Sequence, residues 1–296
     1  MSLLSVVPLL AALNVVTTTE DLASIAREVG GDRVKVESLS RGYQDPHFVE
    51  AKPSFVLKLH SADLLISVGR ELEIGWLPPL VTQSRNPKVQ PGNRGHLDAS
   101  QNARILELPT GDLNRGMGDV HPQGNPHYWL DPNNGRQIAK DVAARLSELD
   151  PTGAAQFKER QEAFDRKVVE ADKGWNARMA PYKGTKIVTY HRSWSYLADH
   201  FGLVVLDYVE PRPGIPPSPG HTMDLIRQMR AQNVKIVLVE PYFDLKTPNQ
   251  IARETGGTVL VLPPSVGGEK GVDTYVALFD DDIGKLVDAI KATGGK

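Results

Sequence analysis

Three histidines stand in phrases that invite metal chemistry: His47 in Asp45-Pro46-His47-Phe48-Val49-Glu50, His127 in Asn125-Pro126-His127-Tyr128-Trp129-Leu130-Asp131-Pro132, and His191 in Val188-Thr189-Tyr190-His191-Arg192-Ser193. Neutral imidazole is the commonest protein ligand for zinc, and three imidazoles with one carboxylate complete a tetrahedral shell. The chain has no cysteine, so any metal must be held by nitrogen and oxygen. Taken singly, each of these histidines reads equally well as a loop residue bonded to backbone. The chain also has five others, His60, His96, His121, His200 and His221. His200, beside Phe201, reads as a packed or surface helix residue, and His221, after Pro219-Gly220, as a cap. His121, in a loop bearing Pro and Gly just upstream of His127, is the best substitute ligand. Residues this dispersed act together only if the fold gathers them.

The elements between them predict such a fold. Residues 13–18 are a β-rich run, after which Thr19 is expected to cap a helix with acids in its first turn and Gly30-Gly31 as its stop. Residues 34–38 alternate as a strand, Pro53 opens a helix, and residues 62–68 form a nearly uniformly apolar strand. From Pro132 the period changes: Ile138, Val142, Leu146 and Leu149 recur at helical spacing. Pro151 interrupts, being tolerable in the first turn of a new helix, and residues 154–179 continue as a long charged helix with Phe157, Phe164, Val168 and Trp175 on it. At about 1.5 Å per residue such a helix can span the molecule. A second strand–helix series follows, with strands at 186–190, 203–209, 234–239 and 258–262 and a closing helix at 275–292. Alternating strands and helices predict parallel sheets with covered faces. The expectation is therefore an α/β chain of two lobes, residues 13–131 and 181–296, joined by connecting helices at 132–180.

In open parallel sheets ligands bind outside the carboxyl ends of the strands. His47 follows the 34–38 strand, His191 the 186–190 strand, and Glu240 the 234–239 strand, while His127 leads into the connector. All four fall in loops, two per lobe, and would meet in a cleft between facing lobes.

Composition excludes several classes. At 296 residues the chain exceeds one average domain. A net charge of -2 gives no reason to expect nucleic acid or an anionic membrane surface. No Gly-rich phosphate loop stands at a strand–helix junction, which argues against nucleotide binding. No stretch reaches the about 20 apolar residues of a spanning helix. Residues 1–12 have the apolar core and small-residue end of a secretory signal, without its basic start, so an exported protein with a residual leader is expected.

On these phrases the chain resembles the zinc and manganese substrate-binding proteins of bacterial ABC importers. The likeness rests on Asp45-Pro46-His47, on Pro126 through Pro132, on Thr189-Tyr190-His191 and on Val239-Glu240-Pro241. Asn14-Val15-Val16-Thr17-Thr18 and Thr274-Tyr275 extend it in the same order, over essentially everything after residue 12. The resemblance implies two α/β lobes bridged by one long rigid helix, a metal buried between them, and handover to a membrane permease. It places His47, His127 and His191 at the first three ligand positions. In that family a histidine at the third position goes with zinc and a glutamate with manganese, so His191 favours Zn2+ over Mn2+. Two departures stand out. The fourth ligand is commonly an Asp upstream of the Thr-Tyr pair, where this chain reads Leu262-Pro263-Pro264-Ser265-Val266-Gly267-Gly268; Glu240 is then the best-placed carboxylate, as ligand or as a support for an imidazole N–H, with water as another way to complete the site. The long His-rich acidic loop of many zinc members is also missing, residues 111–123 holding only His121.

The leading expectation is a monomeric, periplasmic or lipid-anchored zinc receptor of an ABC importer, binding Zn2+ through His47, His127, His191 and an oxygen ligand such as Glu240, and not an enzyme. One rival is a zinc hydrolase with an open coordination position and Glu240 as general base, although no HExxH helix is present. Another is a receptor for a metal chelate or organic ligand sharing the same spine.

Overall fold

The structure, a computed structural model, describes residues 12–109 and 121–294. Nearly all of the leader expected at residues 1–12, and most of the loop at 111–123, lie outside the described residues.

The first sheet contains β1 (Leu13–Thr17), β2 (Val34–Ser38), β3 (Leu64–Ser67) and β4 (His96–Asp98), interleaved with helices α1 (Glu20–Gly30), α2 (Pro53–Ser61) and α3 (Leu77–Ser84). Its order is β2-β1-β3-β4, parallel throughout, with Val15 of β1 level with Val36 on one side and Leu64 on the other. Two helices then leave the sheet. α4 (Pro132–Leu149) begins with Pro at its first position, where a missing N–H costs nothing, and Asp131 caps it by accepting from the Asn133 N–H. A 3-10 turn at Pro151–Gly153 leads into α5 (Ala154–Met179). Phe157, Phe164, Val168, Trp175 and Met179 are its buried stripe, facing α1, α4 and the last helix of the chain.

The second sheet has β5 (Lys186–Thr189), β6 (Val204–Tyr208), β7 (Ile236–Val239) and β8 (Thr258–Val261), with α6 (Ser195–Phe201), α7 (Pro219–Ala231), α8 (Lys246–Thr255) and the closing α9 (Tyr275–Ala292). Its order, β6-β5-β7-β8, repeats that of the first sheet, again all parallel. In each lobe the first strand lies between the second and the third. The connections therefore leave it in opposite directions and open a crevice at its carboxyl end. One apolar cluster runs through both lobes, from Val15 and Leu64 by way of Trp129, Ile138, Phe164 and Trp175 to Ile187 and Phe279. Among the described residues no helix is long and apolar enough to cross a membrane.

The two-lobed α/β architecture expected from the sequence is present. Two elements were not legible there: β4 is only three residues long, and α3 is an eight-residue helix carrying Pro78 and Pro79 in its first turn. Thr19 takes the extended backbone of a cap, but its buried hydroxyl bonds nothing. The neighbouring Asp21 is not merely an acid favouring the helix dipole. It accepts hydrogen bonds from the Ser265 hydroxyl and, at 2.9 Å, from the Val266 N–H, fastening α1 to the loop after β8.

Candidate metal centre

His47 and His127 are held by the same local device. In Asp45-Pro46-His47 the Asp45 Oδ1 accepts from the His47 backbone N–H at 2.9 Å and stands 2.8 Å from its ring Nδ1. In Asn125-Pro126-His127 the Asn125 Oδ1 does the same, at 2.9 Å from the backbone N–H and 3.0 Å from Nδ1. Proline contributes no N–H and a fixed φ, so the short polar side chain two residues back folds onto the histidine. Asn125 cannot be turned the other way: its Nδ2 donates to the Arg192 carbonyl and to Glu107, groups that only accept. Its Oδ1 must therefore meet a donor, which fixes the proton of His127 on Nδ1 and leaves the Nε2 lone pair free.

The surroundings lock these loops. Trp76 Nε1 donates to the Pro46 carbonyl at 2.9 Å. Tyr196 Oη donates to the Asn125 carbonyl at 2.6 Å. Tyr128 Oη donates to Val68, and Trp129 Nε1 to Pro264, so the aromatic residues beside His127 pin it between the two lobes. His191 comes directly after Tyr190 at the end of β5. Its Nδ1 lies 2.8 Å from Oε2 of Glu210, a buried carboxylate at the end of β6.

Each ring thus has an oxygen behind Nδ1, and the three rings converge. Ring centroids are 5.1 Å apart for His47 and His127, 5.2 Å for His47 and His191, and 5.3 Å for His127 and His191. A zinc–nitrogen bond of about 2.0–2.1 Å puts a ring centroid about 3.2 Å from the metal, so tetrahedral neighbours stand about 5.2 Å apart. One ligand atom from each of the three lies within 4.8 Å of the others. Nε2 of His47 and of His127 is buried without a hydrogen-bond partner, an expensive condition unless something else is bound there.

Burial, and then the neighbouring His47, His191 and His121, hold the His127 imidazole well below its ordinary pKa, so it is neutral and ready to donate its lone pair. Burial alone would raise Asp45, but its hydrogen bonds with the His47 ring and backbone outweigh it and hold the carboxyl below its usual range.

Glu240 does not join the converging group, which contains, among the described residues, the three histidines and neither Glu240 nor His121. Its side chain is fully buried at the end of β7, with neither oxygen hydrogen-bonded. Burial raises its carboxyl to about 8, offset only in part by the nearby Ser193 hydroxyl, and its other electrostatic neighbours include Glu210 and Asp45. The groups behind the three rings are instead Asp45, Asn125 and Glu210. Asp45, Asn125 and Glu210 were not singled out from the sequence. The repeated acidic-or-amide, proline, histidine triplet is a signal that could have found the first two. Glu210, 19 positions from His191, has no such mark.

The family model described as zinc-uptake complex component A, periplasmic, matches residues 15–289 of this chain. The iron-binding protein YfeA of Yersinia pestis is 29% identical over 276 residues, covering 90% of this chain and 82% of that protein. The manganese ABC transporter substrate-binding lipoprotein PsaA of Streptococcus pneumoniae is 26% identical over 289 residues, covering 94% and 89%. A crystal structure of ZnuA matches with a TM-score of 0.80 at 26% identity, over 94% of this chain and 99% of that one. These descriptions name zinc, iron and manganese, so kinship leaves the choice of metal to the site.

Proposed function

The chain belongs to the family of periplasmic zinc-uptake components, and from that premise we propose that it is an extracytoplasmic receptor that captures Zn2+ and hands it to the permease of an ABC importer. The observation that carries the choice of metal is the donor set: among the described residues three imidazoles converge with no carboxylate in the group. Nitrogen donors suit zinc, whereas manganese favours oxygen-rich shells. The carboxylates of Asp45 and Glu210 supply charge from behind the rings instead. They orient the His47 and His191 imidazoles, raise their basicity and offset the dication, while the Asn125 amide oxygen orients His127.

In this reading His47, His127 and His191 each donate through Nε2, and a fourth position remains for a further ligand. The working units are the lobes at 13–131 and 181–296 with the connecting helices at 132–180 as spine. The protein acts as a monomer, and docking on the permease releases the ion by disturbing the geometry between the lobes. The chelate-receptor and hydrolase readings gain no specific support. For hydrolysis Glu240 would have to face the metal position as a base, yet it stands outside the converging group.

Competition titrations against a chelator, run separately with Zn2+ and Mn2+, test the assignment. Zinc should bind at one site per chain and at least a hundredfold more tightly than manganese; equal or tighter manganese binding would overturn it.

A further inference from the structure

A fourth imidazole stands beside the three. The His121 ring centroid is 5.3 Å from that of His47, the spacing shown within the triad and about that expected of tetrahedral neighbours. Its Nε2 is buried and has no hydrogen-bond partner. The backbone of Arg70 hydrogen-bonds the same ring; with Nε2 left without a partner, this repeats the pattern of His47 and His127, each held from behind and free at Nε2. His47 and His191 are the other imidazoles it lies beside.

The backbone around it is built for this placement. Gly69, Arg70 and Glu71 are three consecutive residues at positive φ, 78°, 53° and 64°. For Arg70 and Glu71 that is a costly conformation, one that persists where surrounding structure enforces it. The Arg70 side chain donates to the Gln123 carbonyl at 3.2 Å and to Ser100 at 3.0 Å, so one residue holds both the His121 ring and the segment that follows it. The Gly124 N–H closes on the His121 carbonyl at 3.1 Å. Gly124 is itself at φ 92°, and a Cβ there would lie 2.4 Å from Ile105.

Resting on the zinc reading above, we propose that His121 is the fourth metal ligand, so that the ion is held by four imidazole nitrogens, three converged in advance and one brought in from the segment 121–124. His121 lies outside the converged group, so its ring must move onto the fourth vertex when metal arrives. The last bond therefore couples occupancy to the position of that segment. No carboxylate is needed to complete the shell, which accounts for a chain that has Pro264 and no acid in residues 262–268.

Zinc-edge X-ray absorption of the wild type and of His121→Ala tests this, paired with chelator competition. Four imidazole scatterers are expected in the wild type. The variant should show three plus an oxygen, with zinc affinity at least tenfold lower and an unchanged thermal melt without metal. His121→Gln, which keeps a polar side chain, should behave like the alanine variant. Three imidazoles in the wild type with unchanged affinity in both variants would overturn the assignment and leave the receptor reading standing. Absence of zinc from the wild type would remove both.

Discussion

At the scale of single residues the site is a set of proton placements. His127 is poised to bind because Asn125 can present only its carbonyl oxygen to Nδ1, and His191 because Glu210 faces its Nδ1. Removing such a support costs about 10–100-fold in metal affinity in comparable sites. Glu210→Ala should therefore weaken zinc by that factor without altering the number of ions bound, as read by chelator competition; an unchanged affinity would show that the carboxylate is not supporting the ring. Of the residues that matter here, the three histidines were legible because each stands in a phrase with a distinctive neighbour. Glu240 was legible as a carboxylate at a strand end, but its burial and direction were not, since these depend on how β7 packs beside Ser193 and Glu210. Glu210 was invisible because β5 and β6 meet only in the folded sheet, where Thr189 pairs with Tyr208.

Asp21 and Gly135 show what the elements add. Burial raises the Asp21 carboxyl to about 7, with the bonds from Ser265 and Val266 opposing it only in part. A folded value above the unfolded one, near 4, means that the fold holds the proton. The contribution is complete below about pH 4 and is lost as pH rises through about 7. Asp21→Asn imitates the protonated acid, with Nδ2 toward the Ser265 hydroxyl and Oδ1 accepting from Val266. Urea titrations should find the variant close to wild type at pH 4 and more stable than wild type at pH 8, by on the order of 1–4 kcal/mol at about 1.4 kcal/mol per pKa unit; parallel pH profiles would contradict this. Gly135 lies inside α4, where alanine is intrinsically better by about 0.8–1 kcal/mol. A Cβ there would lie 2.2 Å from the Tyr275 oxygen, and that hydroxyl bonds the Trp129 carbonyl at 2.5 Å. Overpacking of about 1–3 kcal/mol outweighs propensity, so Gly135→Ala should lower stability. A Cβ at Gly174 on α5 would meet nothing within 4 Å, so Gly174→Ala should raise stability by roughly 0.5–1 kcal/mol. Denaturation of the pair measures both signs. The helices themselves were readable from periodicity; the contact of Gly135 with Tyr275, 140 positions away, was not.

Across the whole molecule, two sheets of the same topology turn their carboxyl ends toward one point, and a shared core through Trp129, Phe164 and Trp175 holds them in that relation. A ligand bound only by the folded state adds stability by mass action, about 2.7 kcal/mol at a free concentration 100 times Kd, so zinc should raise the melting temperature by several degrees and a chelator should reverse it. Periodicity and strand order made this architecture legible in advance, because alternating strands and helices admit few arrangements. The connection between lobes was legible as a shorter helix followed by a long one, but not in its packing against α1 and α9, which depends on contacts remote in sequence. Whether the two lobes together make a zinc receptor is decided by metal content after equilibrium dialysis against Zn2+, for the wild type and His127→Ala side by side. One zinc per chain is expected in the wild type and none retained in the variant; no zinc in the wild type, or equal zinc in both, would contradict a site built on these histidines.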